Sequence, residues 1–477
     1  MSSTVKIPIS SSLGAAKPFV GATHGASINR TTRMDRFLLV AAIVLLPLQE
    51  QVSILAGPRF SFSIMWIVFA LIGLYVSLNR PLSLLKAAIH PVFLTAYALL
   101  IVGFLIENSH VDSEYVELNS FAYMIAGAVV VAALCRDRLS LKAVFYGYIG
   151  ASIWLAIFLM LNFQGQFRGA IATSLNEATT VRDQIFRDNS LATGLNTMAS
   201  IMAQGTVLAF TLTLTANSIR RRTVFLLVTI FCAVATFLPM SRGSVLMVIV
   251  SCAVVLVAYR GKRLQALIAV AILAVAVVFW VPNVVITRLV SSTTTSYYSS
   301  LVDSDQEDAD GRSRVYSAAL HSFPEYAAFG VGAGNYWKSW AYTHGLGNDR
   351  GVSGAHNCFL QITIYWGLAG LLGLVGVVTF AYRCIPKRCG LDPLSLGLLG
   401  LACSLLIWMQ LMHNLYDKEF SLGLGLLVGA RLWIWPKGVV GLASRSRSRK
   451  LPFAAGRTLP PKPKQSDELI ELERATI

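Results

Sequence analysis

The chain has 477 residues, 55% hydrophobic and only 13% charged, with a mean hydropathy of +0.61 and a formal net charge of +16. A soluble globular protein carries about a quarter of its residues as charges. Here the apolar residues gather in blocks of about 17–25, the length that crosses a hydrocarbon core of ~30 Å, which excludes a large soluble helical protein. The positive charge lies in the tails and in short segments between apolar blocks, which argues against nucleic acid as its partner.

Residues 1–36, rich in Ser, Thr, Gly and Ala, are predicted to be a disordered cytoplasmic tail, and no small-x-small cleavage site follows the first apolar block. Apolar spans follow near 37–54, 61–78, 91–106, 119–135, 142–163, 191–217, 223–240, 244–259, 264–283, 357–382, 394–415 and 419–435. Residues 37–435 are thus expected to form an all-α polytopic transmembrane domain of about twelve helices. Residues 436–477 are expected to be a disordered basic cytoplasmic tail. Seven cysteines (135, 232, 252, 358, 384, 389 and 403) lie in or beside apolar blocks without a CxxC, and read as small buried apolar groups.

Lys and Arg alternate between the spans. One side holds 28 basic and 7 acidic residues, the other 11 and 17. The positive-inside rule then places both termini in the cytoplasm. Three outer segments are long: 107–118, 164–190 and 284–356. The last, between helices 9 and 10, has 73 residues, too many for a passive connector. Short helices are expected in it, one beginning near Gly311–Arg312 and ended by Pro324.

The outer segments hold the candidate chemistry. Ala355-His356-Asn357-Cys358 opens the tenth span, which sets His356 at a helix N-terminus on the outer surface. At about 100° per residue, Thr363, Gly367 and Gly370 fall on the same stripe of a continuous helix as His356. Glycines so spaced let a second helix or a lipid chain approach the backbone. Free N–H groups at a helix start attract anions such as phosphate. The residues alone equally admit an interfacial histidine above ordinary packing glycines.

Arg242 sits in Pro239-Met240-Ser241-Arg242-Gly243, the tight outer turn between spans seven and eight. An arginine costs ~2.5–3.5 kcal/mol at the centre of a spanning helix and less near the interface. Charge-assisted bonds to a phosphate recover ~1.5–3 kcal/mol each; snorkelling to headgroups is the alternative. Arg187, ahead of Gly194 and Asn196, stands out among Arg168, Arg182 and Arg187 of the second outer segment. Arg312 and Arg314 follow the acidic run Asp303, Asp305, Glu307, Asp308 and Asp310, which offers them partners within the loop. Phe329-Gly330-Val331-Gly332-Ala333-Gly334-Asn335 lacks a βαβ context and reads as a flexible turn re-entering the membrane surface. HExxH, GxSxG, P-loop and metal-spaced carboxylate motifs are absent, so no metal or cofactor is expected.

Together these residues resemble the O-antigen ligase and polymerase membrane proteins. That superfamily's signature is His, then Asn, Ser or Gln, nine residues, and Gly-x-x-Gly; here it reads His356-Asn357, nine residues, Gly367-Leu368-Ala369-Gly370. The Ser241-Arg242-Gly243 turn and the stretch Gly311-Arg312 … Pro324 … Gly330–Asn335 agree with it. Tyr316 stands where the family usually has Trp, and the hydrophobic residues around Pro324 also depart from its pattern. The likeness is clearest over 187–375.

The resemblance implies a multi-helix glycosyltransferase of the lipid-linked-sugar type in a bacterial inner membrane. Its substrate would be a glycan on undecaprenyl diphosphate, presented at the periplasmic face. By the same resemblance Arg242 and Arg187, with Arg312 as a further candidate, hold the diphosphate, and His356 contacts it or deprotonates the acceptor hydroxyl. Asn357, Thr363, Gly367 and Gly370 would form a helix face or lipid groove. The implied partners are the lipid-linked oligosaccharide, an acceptor glycan (a second lipid-linked repeat or the lipid A core), membrane lipids and other polysaccharide-assembly proteins. Polymerisation of exopolysaccharide or O-antigen repeats is the first expectation, ligation to lipid A core the second, and protein O-glycosylation follows. A flippase for the same lipids is the rival of a different class. It predicts charge deep in several spans, whereas Glu50 lies near a span end and Arg431 stands alone.

Overall fold

The computed structural model describes residues 32–48, 64–110, 115–169, 195–239, 241–261, 268, 270–271, 311–335, 340–344, 355, 357–386, 392–411 and 418–435. The chain divides into two units, Met1–Ile434 and Trp435–Ile477, and all the described helices lie in the first. Every regular element among the described residues is helical. In chain order the longer helices are α1 (Arg33–Val44), α2 (Ile64–Asn79), α3 (Pro81–Ala88), α4 (Pro91–Asn108), α5 (Val116–Leu134), α6 (Arg138–Gly169) and α7 (Leu195–Thr215). They continue with α8 (Ile219–Phe237), α9 (Arg242–Ala258), α10 (Gly311–His321), α11 (Cys358–Tyr382), α12 (Pro393–Leu411) and α13 (Lys418–Gly429), which runs on in a π turn over Ala430–Ile434.

Among the described residues six helices, α4, α5, α6, α7, α11 and α12, are long and apolar enough to cross a membrane; α2 with α3, bent by 114°, makes a seventh if that pair is one span. The protein is therefore an all-helical, multi-pass membrane protein over these residues. α9 is apolar but has 17 residues, α1 and α13 have 12 each, and α8 opens on Arg220, Arg221 and Arg222. The span expected at 264–283 falls almost wholly outside the described residues, as do residues 1–31, 170–194, 284–310 and 436–477.

Helix boundaries follow capping chemistry. The Thr32 hydroxyl accepts the Asp35 N–H while the Asp35 carboxylate accepts the Thr32 N–H at 2.8 Å, a reciprocal cap that starts α1 at Arg33, four residues before the expected apolar block. Pro81 and Pro91 open α3 and α4, where a missing N–H removes no helical bond. Pro324 behaves likewise: α10 starts at Gly311 as expected but ends at His321, and Pro324 lies in the first turn of a new piece, Phe323–Tyr326.

α7 is buried along its length and packs against α6, α8, α9 and α12. Val207, Phe210 and Leu214 of α7 meet Met247 and Val255 of α9 and Trp408 of α12 in one core. The hydroxyls of Thr206, Thr211 and Thr213 donate to carbonyls four residues earlier in the same helix, so they need no outside partner. Small residues bring other helices close, as membrane packing favours. A Cβ on Gly425 of α13 would lie 2.5 Å from the Ala128 carbonyl oxygen of α5.

Helix ends meet in two groups. In one, fully buried Asp35 accepts the Tyr75 hydroxyl at 3.0 Å and lies 3.4 Å from the Arg80 guanidinium; Arg36 faces Asp137 at 3.8 Å, and Arg138 pairs with Asp392. Lys86 and Arg136 lie 5.6 and 5.4 Å from the centre of the Trp433 ring. In the other, the Ser200 hydroxyl donates to Glu419 at 2.9 Å and Asn357 donates to Gln410 at 3.0 Å. Each contact joins ends that the Lys/Arg alternation assigns to one side. Of the six described cysteines five are buried and Cys403 is half-buried.

Replacing Gly425 by Val overpacks the α5–α13 crossing, at a cost of ~1–3 kcal/mol. The thermal midpoint of the detergent-solubilised protein should fall by several degrees in fluorescence-detected size exclusion. Gly150→Val, at a position where a Cβ would meet nothing within 4 Å, should leave it unchanged. Equal midpoints for the two variants would contradict the close crossing.

Candidate functional site

α11 is broken within the apolar stretch. Trp366 (φ −127°, ψ 19°) and Gly367 (φ 64°, ψ −162°) leave the helical region, which frees backbone groups that hydrocarbon cannot satisfy. The segment after α10 supplies partners. Val331 N–H donates to the Ile364 carbonyl (2.8 Å), Gly332 N–H to the Tyr365 carbonyl (3.0 Å), and Leu368 N–H to the Ala327 carbonyl (2.8 Å). The approach is backbone to backbone, so glycine is required. A Cβ on Gly330 would lie 2.2 Å from the Tyr365 oxygen, and one on Gly367 2.6 Å from the Ala328 oxygen. Both residues also have positive φ. The turn expected to be flexible is therefore pinned.

Fully buried Glu107, near the end of α4, completes this seat. Its Oε1 accepts the Ala333 N–H at 2.5 Å and the Trp366 Nε1–H at 3.1 Å. Its Oε2 and the Nδ1 of His110 each lie 3.3 Å from where a Gly332 Cβ would stand. Nearby, burial pushes the Tyr326 hydroxyl up to about 12, so it stays protonated and donates to the Ala319 carbonyl at 2.7 Å.

At the start of α11, Asn357 Oδ1 accepts the N–H groups of Phe359 (2.9 Å) and Leu360 (3.1 Å), and Asn357 Nδ2 donates to Gln410 Oε1 of α12 (3.0 Å). Gln361 Oε1 accepts the Ala355 N–H at 2.8 Å, so the chain on both sides of position 356 is tied to α11. The buried Thr363 hydroxyl donates to the Phe359 carbonyl at 2.6 Å. The first-turn N–H groups expected to attract an anion here are taken by Asn357.

The start of α9 is different. Arg242 is its first residue and is exposed, and Ser241 before it makes no side-chain cap. One turn in, the fully buried Ser244 hydroxyl has no hydrogen-bond partner among the described residues. A Cβ on Gly243 would lie 3.1 Å from Leu411 Cδ1. Leu411 follows Gln410, so the last turn of α12 touches the Arg242 turn through one residue and the Asn357 cap through the next. The starts of α9 and α11 converge on the end of α12.

The structure thus sets the Arg242 turn and the Asn357 cap against adjacent residues of α12, with Thr363 deeper on α11. The open stripe expected to run through Gly367 and Gly370 does not form, because the helix is not continuous. Ala328 and Gly330 fill the space at Gly367, and Trp366 and Ile362 that at Gly370. Arg312 lies in the first turn of α10, with its side chain outside the described atoms; Arg187 and His356 lie outside the described residues. The sequence reading singled out neither Glu107, Trp366 nor Gln410. Their shared signal is a lone polar or indole group in or beside an apolar block. Among the described residues, no group of three His, Cys, Asp or Glu side chains is placed to hold a metal ion.

Residues 224–375 match the family model described as O-antigen ligase, a segment that includes Arg242, the Gly330–Asn335 turn and the break in α11. No curated protein matches the chain.

Gly367→Ala adds backbone strain of ~1–3 kcal/mol and a clash with the Ala328 carbonyl. The amides of Val331, Gly332 and Leu368 should then lose protection from hydrogen exchange. Glu107→Ala leaves the Ala333 and Trp366 donors unpaired, at ~1–3 kcal/mol each, and should lower the thermal midpoint. Glu107→Gln keeps an acceptor oxygen and should retain most of the stability. A Gln variant as unstable as the Ala variant would contradict the role assigned to Oε1.

Proposed function

Through residues 224–375 the chain belongs to the O-antigen ligase superfamily, and from that premise we propose that it transfers an undecaprenyl-diphosphate-linked glycan to an acceptor sugar at the periplasmic face, joining repeat units of an exopolysaccharide or O-antigen. The observation that carries this reading is the start of α9, uncapped by Ser241 and headed by exposed Arg242, next to the Asn357 cap across the end of α12.

In the reaction the acceptor hydroxyl oxygen bonds to the anomeric carbon. The bond from that carbon to the diphosphate breaks with its electron pair, and the hydroxyl proton passes to a base. The leaving group carries about two negative charges, so fixed cations and aligned dipoles aimed at it lower the barrier. Arg242 supplies a cation, and the first turn of α9 supplies N–H groups and the positive end of a helix dipole. Arg187 and Arg312 are assigned to a second hold on the diphosphate. Asn357, engaged by the α11 amides and Gln410, orients the adjacent His356. His356 takes the hydroxyl proton or contacts the diphosphate; His356→Gln, which hydrogen-bonds but accepts no proton at neutral pH, separates the two roles. The Lys/Arg alternation, which assigns these helix ends to the less basic side, supports an outer position for this site.

Arg242→Ala and His356→Ala should each lower glycan transfer by about 10- to 100-fold or more at unchanged protein level, the equivalent of losing a charge-assisted bond of ~1.5–3 kcal/mol. Arg242→Lys should retain part of the activity, keeping the charge but not the planar fork. Full complementation of a null strain by both alanine variants would remove the catalytic assignment. The glycans of that strain sort the readings. Single lipid-linked repeats indicate a polymerase, unligated full-length chains a ligase to lipid A core, and the absence of outward-facing glycan a flippase.

A further inference from the structure

A second charged site lies at the end of the bundle that the Lys/Arg alternation assigns to the cytoplasm. A pocket of about 620 Å³ opens between the first turns of α6, the end of α7 and the start of α8. Lys142, Arg220 and Arg221 line it, and among the described residues no acidic one does. None of these three side chains forms an ion pair with a carboxylate among the described residues. The acid nearest in sequence to the rim, Asp392 beside Pro393, is engaged by Arg138 and by the Ser395 N–H and hydroxyl. Arg222, the third of the run, turns away and donates to the Ala216 carbonyl at 3.2 Å. The Ser218 hydroxyl accepts the Arg221 N–H at 3.3 Å, which caps the helix start and leaves the Arg220 and Arg221 side chains as the charged groups at the pocket.

The surroundings select the kind of anion. Lys142 Nζ lies 5.7 Å from the centre of the Tyr146 ring, and that ring stacks on Phe225 with centroids 6.4 Å apart and planes 15° apart. Next to the cations α8 presents exposed apolar side chains, Val224 at 52% and Leu227 at 61%. Cations bordered by outward-facing apolar surface match an amphiphile, with the phosphate among the cations and the acyl chains along α8. A soluble phosphate would use only the first half of that surface. We propose that this pocket binds the headgroup phosphate of an anionic membrane phospholipid, a site separate from the outer mouth and independent of the glycan-transfer reading. Basic pockets between helices on the cytoplasmic side suit such headgroups.

The test uses the full-length protein, extracted from bilayers of phosphatidylglycerol and phosphatidylcholine and examined by native mass spectrometry for retained lipid. The wild type should retain phosphatidylglycerol in preference. The triple variant Lys142→Gln/Arg220→Gln/Arg221→Gln should lose it, by about fivefold per cation, which corresponds to ~1 kcal/mol for each Lys or Arg near an anionic surface. A charge-keeping triple, Lys142→Arg/Arg220→Lys/Arg221→Lys, should retain it. Arg260→Gln, which removes an exposed cation of the same side outside the pocket, should change nothing. The proposal is overturned by wild-type retention in the Gln triple, by equal loss in the charge-keeping triple, or by equal loss in Arg260→Gln. Displacement of the lipid by millimolar inorganic phosphate alone would overturn it in favour of a soluble anion.

Discussion

A spanning helix that breaks must find partners for the backbone it opens, because hydrocarbon offers none. At Trp366–Gly367 that requirement is met by the main chain of 327–332, which pairs with the groups at Ile364, Tyr365 and Leu368. Each such group left alone in an apolar setting costs several kcal/mol, so loop and helix are obliged to hold together. The break lies roughly 13 Å along the helix from Asn357, at 1.5 Å per residue. The segment 327–332 is thereby anchored within α11, and Glu107 extends the anchor to α4.

The two helix starts beside the end of α12 have divided roles. α11 is closed by its own asparagine, whose amide also grips α12, and this closure makes it a fixed post beside position 356. α9 is left open, with an arginine at its first position and a small residue next that lets α12 come close. The proposed transfer, which expels a diphosphate, would use the closed start for positioning and the arginine-headed start for charge. The segment thus mixes residues of different kinds: Asn357 closes the start of α11, and Gly367 with Gly330 seats the loop.

Much of the helix pattern was legible in the sequence, because apolar blocks and Lys/Arg alternation report on the bilayer directly. Arg242 drew notice for a related reason, as an arginine on the acidic side of the alternation, and it stands at the first position of α9. Other features depend on contacts that periodicity does not encode. The stripe from Thr363 to Gly370 presumed a straight helix, and one residue with φ of 64° cancels the angular arithmetic beyond it. The short α3 arises because Arg80 steps out of the helical region and Pro81 starts anew. The full burial of α7 depends on four neighbouring helices. Glu107 was one acid among several in the 107–118 segment until its partners, 226 and 259 residues away, were in place.

That last separation has a consequence for biogenesis. At roughly 5–20 residues per second, α4 leaves the ribosome some 10–50 s before the indole and amide that Glu107 will bind. Throughout that interval a side chain destined for complete burial has neither of them. Glu107 can therefore take up its final pairing only after residues 333 and 366 have been made.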